Sequence, residues 1–262
     1  MRFKLTLKVN KHKFGNTIPL NYQYEQSAVV YRILTDSSDL YDNWLYENSY
    51  KQENRYFKLF TYSRFFVPKY RISSEDARLL ILCDNIDWYI SFLPDYKTVD
   101  FVHNLFFNKV FQLGDKKSRV EFTVVQIDVL PSINYDCNAI FETISPMCIT
   151  KRELNGKTTY LPPTDSYASQ SIFTSLKTRY QIFYNKEYCG SEDFHLEILN
   201  EPKSVLIKIK SDTPQETNVR GFMCRFKIKA DPELMKIMYE CGIGMKGSQG
   251  WGMVKLKKLL SS

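Results

Sequence analysis

An α+β fold in which one strand–helix–strand–strand–helix–strand unit occurs twice is what this sequence predicts, and three observations carry it. The chain has 262 residues, room for two units of about 130 residues each. Stretches of period two alternate with stretches of helical period from one end to the other. Hydrophobic residues at 44% and charged residues at 25%, with 18 Phe, 18 Tyr and 3 Trp, supply globular cores and exclude disorder, collagen and coiled coil for the whole chain.

The elements follow in order. Phe3, Leu5, Leu7 and Val9 alternate with Lys4, Thr6 and Lys8, the pattern of a half-buried strand. After a turn around Gly15 and Pro19, Tyr24, Ala28, Tyr31 and Thr35 fall on one helical face beside Val30, Ile33 and Leu34. A shorter helix is predicted over residues 40–47. Residues 58–66, 77–83 and 88–93 are short, rich in β-branched or aromatic residues and read as strands. Val99, Val102, Phe106 and Val110 recur at helical spacing, and 118–130 is again strand-like. That order is the ferredoxin-like, or RRM-like, unit.

A second pass repeats it. Residues 138–144 read as a strand, 165–184 as a helix, and 205–209 and 222–228 as strands. A helix opens at Pro232, where a missing N–H has no partner to lose, and 253–259 close the unit. The predicted domains are therefore 1–130 and 131–262, two tandem ferredoxin-like domains meeting near Pro131, the second with a C-terminal glycine-rich loop.

No apolar run reaches the roughly 20 residues of a membrane helix, and MRFKLTLKVN lacks a signal-peptide core, so the chain reads as soluble and cytoplasmic. The six cysteines, Cys83, Cys137, Cys148, Cys189, Cys224 and Cys241, form no CxxC pair and stand at no metal-ligand spacing from a histidine. They read as reduced, mostly buried thiols, and neither metal nor cofactor is expected. Charge is uneven: residues 203–262 hold 12 Lys/Arg against 5 Asp/Glu, whereas the first 202 hold 24 of each. Such asymmetry points to a nucleic-acid or acidic-surface partner, with a solvated basic face as the structural alternative.

Five of the ten glycines lie in GIGMKGSQGWG, at 242, 244, 247, 250 and 252. Gly242, Gly244 and Gly247 match G-x-G-x-x-G, but a helix precedes the loop and a strand follows, the reverse of a dinucleotide site. Ser248 stands where a Walker lysine would follow Gly247. The loop is better suited to RNA: glycines bare the backbone amides to phosphate, Lys246 adds a cation, and Trp251 offers a stacking plane, unless it simply packs on the sheet.

At this loop the chain resembles the CRISPR-associated endoribonuclease family that processes precursor CRISPR RNA, the sixth numbered Cas family, a RAMP-type group. The resemblance runs through VRGFMCRFKIKADPELMKIMYECGIGMKGSQGWGMVKL, through FETISPMCITKR with YLPP, and through IPLNYQYEQSAVVYRIL, WLYENSY and FKLFTYS. It implies a tandem ferredoxin-like fold and antiviral-defence RNA processing: metal-free attack of a ribose 2′-hydroxyl on the adjacent phosphate, leaving 2′,3′-cyclic phosphate and 5′-hydroxyl ends. It implies CRISPR repeat RNA as partner, with effector-complex subunits and a second copy of the chain as further candidates.

The resemblance also assigns catalytic positions. Tyr31 in VVYRIL and Lys58 in FKLFTYS match two members of the family's triad, while the usual histidine position, in Leu45-Tyr46-Glu47, is Tyr46. His12 is the first substitute to consider; His103 reads as structural, and His195, placed just before a strand, has no role. RNA-backbone candidates are Lys151, Arg152, Arg225 and Lys227, the last two sharing a strand face, with Gly244, Lys246, Gly247, Ser248, Gln249 and Trp251 of the loop. The alternative function is a repeat-binding module that does not cut, and a third is an unrelated ferredoxin-like sensor of small molecules.

Overall fold

The computed structural model describes residues 1–36, 51–52, 55–56, 58–93, 97–209 and 214–260. Tyr46, the helix expected over 40–47 and Pro94 lie outside the described residues.

The N-terminal half contains β1 (Arg2–Val9), α1 (Lys11–Phe14), β2 (Thr17–Pro19), α2 (Gln23–Asp36), β3 (Lys51–Gln52), β4 (Arg55–Tyr56), β5 (Phe60–Tyr62), β6 (Tyr70–Ser73), β7 (Arg78–Ile81), β8 (Asn85–Phe92), α3 (Thr98–Phe106), β9 (Val110–Gly114) and β10 (Arg119–Val129). The C-terminal half contains β11 (Asn138–Thr143), β12 (Thr150–Arg152), β13 (Thr158–Tyr160), α4 (Ala168–Tyr184), β14 (His195–Ile198), β15 (Lys203–Ile209), β16 (Thr217–Met223), β17 (Arg225–Lys229), α5 (Pro232–Cys241) and β18 (Val254–Leu259), with a 3-10 turn at Gly247–Gln249.

Two antiparallel sheets organise these elements, in the orders β5-β8-β1-β10-β9 and β14-β17-β11-β18. Numbering the four principal strands of each half along the chain gives 4-1-3-2 in both, as β10-β1-β8-β5 and β18-β11-β17-β14. The fold is α+β with tandem ferredoxin-like units. β1 shows why: Phe3, Leu5 and Leu7 are fully buried under α2 and α3, while Lys4 and Thr6 face outward. The second core packs Phe141, Phe226 and Ile228 against Leu176 of α4 and Leu234 and Met238 of α5. Among the described residues no helix is long and apolar enough to cross a membrane.

The halves are locked by buried polar groups. The Arg2 guanidinium donates to the carbonyls of Val254 at 2.6 Å and Tyr239 at 2.5 Å and lies 3.6 Å over the Tyr239 ring. Glu240, 3% exposed, accepts from Ser91 at 2.5 Å and Tyr135 at 2.6 Å and faces the Met1 amine at 3.0 Å. Leu59 and Leu93 of the first half sit in the second half's core.

Several strand expectations need correction. Val110 begins β9 instead of continuing a helix: α3 ends at Phe106, Asn108 turns the chain with φ +58°, and Phe111 and Leu113 point inward at period two. Of 58–66, Phe60–Tyr62 joins the main sheet as β5 and Phe66 bridges Asp87 of β8 after an irregular stretch, and β7 from 77–83 belongs to a separate β2-β7-β6 sheet. The run 222–228 is two strands, because Cys224 leaves the β15–β16 hairpin to exchange hydrogen bonds with Thr143. His195 opens β14. All six cysteines are free; Cys148, Cys224 and Cys241 are buried, Cys83 is half-buried, and Cys137 and Cys189 are exposed, so burial holds for only half of them.

Candidate active site

Helix α2 presents Gln23, Ser27 and Tyr31 at four-residue spacing, which places them in one stripe along its axis. This stripe faces the glycine loop. Gln23 Nε2 donates to the Gly250 carbonyl at 2.8 Å, and the Tyr31 hydroxyl donates to Ser248 Oγ at 3.2 Å. Core residues Val29, Val30, Ile33 and Leu34 hold the neighbouring face, whereas Ala28 and Thr35 are exposed.

The loop fits only because of its glycines. Gly252 has φ +73°, and a Cβ there would overlap the Ile243 carbonyl; at Gly250, φ +77°, it would overlap the Tyr62 ring. Lys246 takes a left-handed φ of +63°, uncommon for a side-chain-bearing residue.

Arg179 of α4 holds the loop from the other side. It donates to the carbonyls of Gly242 at 2.6 Å, Cys241 at 3.3 Å and Gly244 at 3.1 Å, and also to the backbone and hydroxyl oxygens of Ser175. These carbonyls include the end of α5, where unpaired oxygens and the helix dipole favour a cation. Burial lowers the Arg179 pKa from its usual value and pushes the Cys241 thiol up to about 12.

A cleft of about 540 Å³ opens between the halves at this seam. Tyr31 and Lys58 line it from the first half, Thr174, Thr178 and Arg179 from α4, and Gly244, Lys246, Gly247 and Ser248 from the loop. Lys58 Nζ stands 4.0 Å over the Tyr31 ring. A phenol, two ammonium groups and several hydroxyls thus meet in one opening, able to hold an anion and to exchange a proton with it. Among the described residues no group of three or more His, Cys, Asp or Glu side chains could hold a metal ion.

The structure separates the remaining candidates. Gln249 and Trp251 line a smaller adjoining opening. Trp251 is 2% exposed and packs with Cys148, Ile207 and Val219 above Gly221, so its ring is a core residue and offers no stacking plane. The amides of Gly250 and Gly252 are bonded to the carbonyls of Gly247 and Pro146 and do not point to a ligand. Lys151 and Arg152 are exposed on the β12–β13 hairpin. Arg225 and Lys227 lie with Lys229 on the outer face of β17, opposite the buried Phe226 and Ile228. Nearby Lys255 pairs with Glu142 at 3.1 Å, while no ion pair to Arg225 or Lys227 occurs among the described residues.

None of the histidines lines the cleft. His12 borders a separate cavity with Lys8, Lys11 and Asp84, His103 stacks on Phe107, and His195 pairs opposite Lys229. Sequence reasoning missed Gln23 and Arg179. Two four-residue steps back from Tyr31, through Ser27, could have found Gln23; nothing local to Arg179 announces the carbonyls it meets.

Comparison with known proteins bears on this arrangement. Two family models match in succession: CRISPR-associated protein Cas6, N-terminal, over residues 17–128, and CRISPR associated protein Cas6, C-terminal, over 130–256. A CRISPR-associated endoribonuclease Cas6 of Methanocaldococcus jannaschii is 30% identical over 97% of this chain and 92% of its own. Its namesake in Pyrococcus furiosus is 26% identical over 98% and 90%. A solved CRISPR associated protein Cas6 superposes with a TM-score of 0.76 at 28% identity, covering 98% of this chain and 99% of that one.

Proposed function

The chain belongs to the Cas6 family of CRISPR-associated endoribonucleases, and from that membership we propose that it cuts the repeat segment of precursor CRISPR RNA without metal. One observation carries the reading: Tyr31 and Lys58, the two matched catalytic positions, face the glycine loop across a single cleft between the halves.

In this mechanism a ribose 2′-hydroxyl gives its proton to solvent water as its oxygen attacks the adjacent phosphorus, and the 5′-oxygen of the next nucleotide leaves with a proton from the protein, giving 2′,3′-cyclic phosphate and 5′-hydroxyl ends. Lys58, with Lys246 opposite, stabilises the negative charge that grows on the phosphoryl oxygens. The Tyr31 hydroxyl, held in the cleft beside Ser248, turns its one proton from Ser248 Oγ to the leaving oxygen. Tyr46 occupies the position of the family histidine. A phenol of ordinary pKa near 10 is deprotonated in only about one molecule in a thousand at pH 7, so Tyr46 serves as a donor and the rate rests largely on positioning. Gly244, Gly247 and Ser248 bound the phosphate, and Lys151, Arg152, Arg225 and Lys227 track the RNA backbone outside the cleft, adding affinity more than sequence information.

The test is a time course of the protein with its host's repeat RNA in EDTA, with product ends mapped. A single cut ending in cyclic phosphate, abolished by a 2′-deoxy nucleotide 5′ of the cut, is expected. Cutting that persists on the deoxy substrate overturns the mechanism. Tyr46 in the histidine position favours a second reading, a module that binds the repeat without cutting it. Tight, salt-sensitive binding with no product would support that reading. A large gain in rate for Tyr46→His would then identify proton transfer as the missing step.

A further inference from the structure

Beside the cleft, one helical turn from Tyr31 along α2, lies a second opening of about 110 Å³. Its walls are mostly apolar: Ile207 and Ile209 of β15 face Tyr24 and Ser27 of α2, and Trp251 with Gln249 closes the loop side. β15 is tied to the start of α2 by Asn21 Nδ2, which donates to the Leu206 carbonyl at 3.4 Å.

Gln23 also lines this slot and is 3% exposed. Its Nε2 must face the Gly250 carbonyl, because a carbonyl accepts only from a donor, and this fixes Oε1 as the amide's other end. That oxygen is buried and takes no hydrogen bond among the described residues. A buried acceptor left without a donor costs about 1–3 kcal/mol. The slot therefore combines mostly apolar walls with Gln23, whose Oε1 is in need of a donor, and it opens beside Gln249, the residue after Ser248 of the cleft.

We propose that this slot receives one base of the bound RNA, from a nucleotide flanking the reacting phosphate, and that Gln23 Oε1 accepts a hydrogen bond from that base's exocyclic amino group. The ligand class is an aminated nucleobase, adenine or cytosine, inserted between the isoleucines and Tyr24. Unstacked bases of single-stranded RNA are read in this way, by their faces on apolar or aromatic side chains and by their edges on polar ones. The proposal deepens the reading of the cleft and rests on it: the cleft holds the phosphate, and the slot selects which nucleotide brings that phosphate there.

The test measures binding, so it does not depend on turnover. Repeat RNA made uncuttable by one 2′-deoxy nucleotide is scanned with abasic sites, and then with des-amino bases, at the positions flanking the cut. Wild-type protein is expected to show one position where base loss raises Kd about tenfold, within the range a stacked base supplies, with most of that loss reproduced by removing the amino group. In Ile209→Trp, which fills the slot and leaves the Gln23–Gly250 bond in place, sensitivity at that position disappears while the rest of the profile stays; in Gln23→Met, which also removes the bond to Gly250, overall affinity falls and the des-amino effect at that position disappears. Variant profiles that match the wild type overturn the slot and leave the cleft standing. Wild-type protein that does not bind the repeat overturns the reading of the cleft, and the slot with it.

Discussion

The cleft and the outer face of β17 both gather cations, and they do so by opposite means. In the cleft, Lys58 rests over the Tyr31 ring, Arg179 is consumed by loop carbonyls, and Lys246 stands on left-handed backbone. Lys58 and Arg179 are thus held by partners far away in sequence, and Lys246 by the backbone of the loop. On β17, Arg225 and Lys227 point outward merely because they alternate with Phe226 and Ile228. Fixed groups suit chemistry, which needs reacting atoms held in place; groups turned outward from a sheet suit affinity, which depends mainly on how many phosphates are neutralised.

The largest test of this contrast is Arg179→Met. Losing it strands several loop carbonyls, and stability should fall by about 3 kcal/mol or more, read from denaturant unfolding, with cleavage lost beyond what the fraction folded explains. A stability loss under about 1 kcal/mol would mean that the loop does not depend on its clamp.

Next come Lys58→Ala and Tyr31→Phe. Each should slow single-turnover cleavage about 100-fold while Kd for uncuttable RNA changes by less than about threefold. If affinity falls as far as the rate, the cleft is a binding surface and the contrast breaks.

The doubly substituted Arg225→Ala, Lys227→Ala protein should behave in the reverse sense. Kd is expected to rise about tenfold and the slope of log K against log salt to become shallower by about 1.4, two phosphates at roughly 0.7 each, with the cleavage step unchanged. A slower cleavage step at saturating RNA would place these residues in the chemistry.

The smallest effect concerns thiols. Burial pushes Cys148, Cys224 and Cys241 each up to about 12, so at pH 8 little thiolate is present and alkylation should be slow; the exposed Cys137 and Cys189 should label within minutes. Mass spectrometry that finds Cys241 newly labelled in Arg179→Met would sharpen the link between clamp and loop.

Much of the fold was legible because its strands are buried on one face. β1 announced itself through Phe3, Leu5 and Leu7, and both ferredoxin-like units emerged from element order alone. Legibility failed where partner choice decides. Val110 fits a helical spacing as well as a strand, and nothing in VRGFMCRFKIK shows that Cys224 ends one sheet and begins another. Of the residues that line the cleft, the glycine loop stood out by its composition, and Tyr31 and Lys58 were singled out through the family resemblance. Trp251 was misjudged because its burial depends on Gly221, a small residue 30 positions earlier that leaves space for the ring. Arg179 was invisible for the same reason: its partners are set by tertiary structure.

The hydrogen bond from Tyr31 to Ser248 joins residues 217 positions apart. On a ribosome adding about 5–20 residues per second, the loop therefore follows the helix by about 10–40 s. For most of that interval the nascent chain carries Tyr31 and Lys58 without the glycine loop that completes the cleft. The cleft is consequently among the last features of the molecule to form, and the activity proposed for it is expected only once the loop has been made. Refolding of the purified protein should show the same order, with core fluorescence recovering before cleavage does.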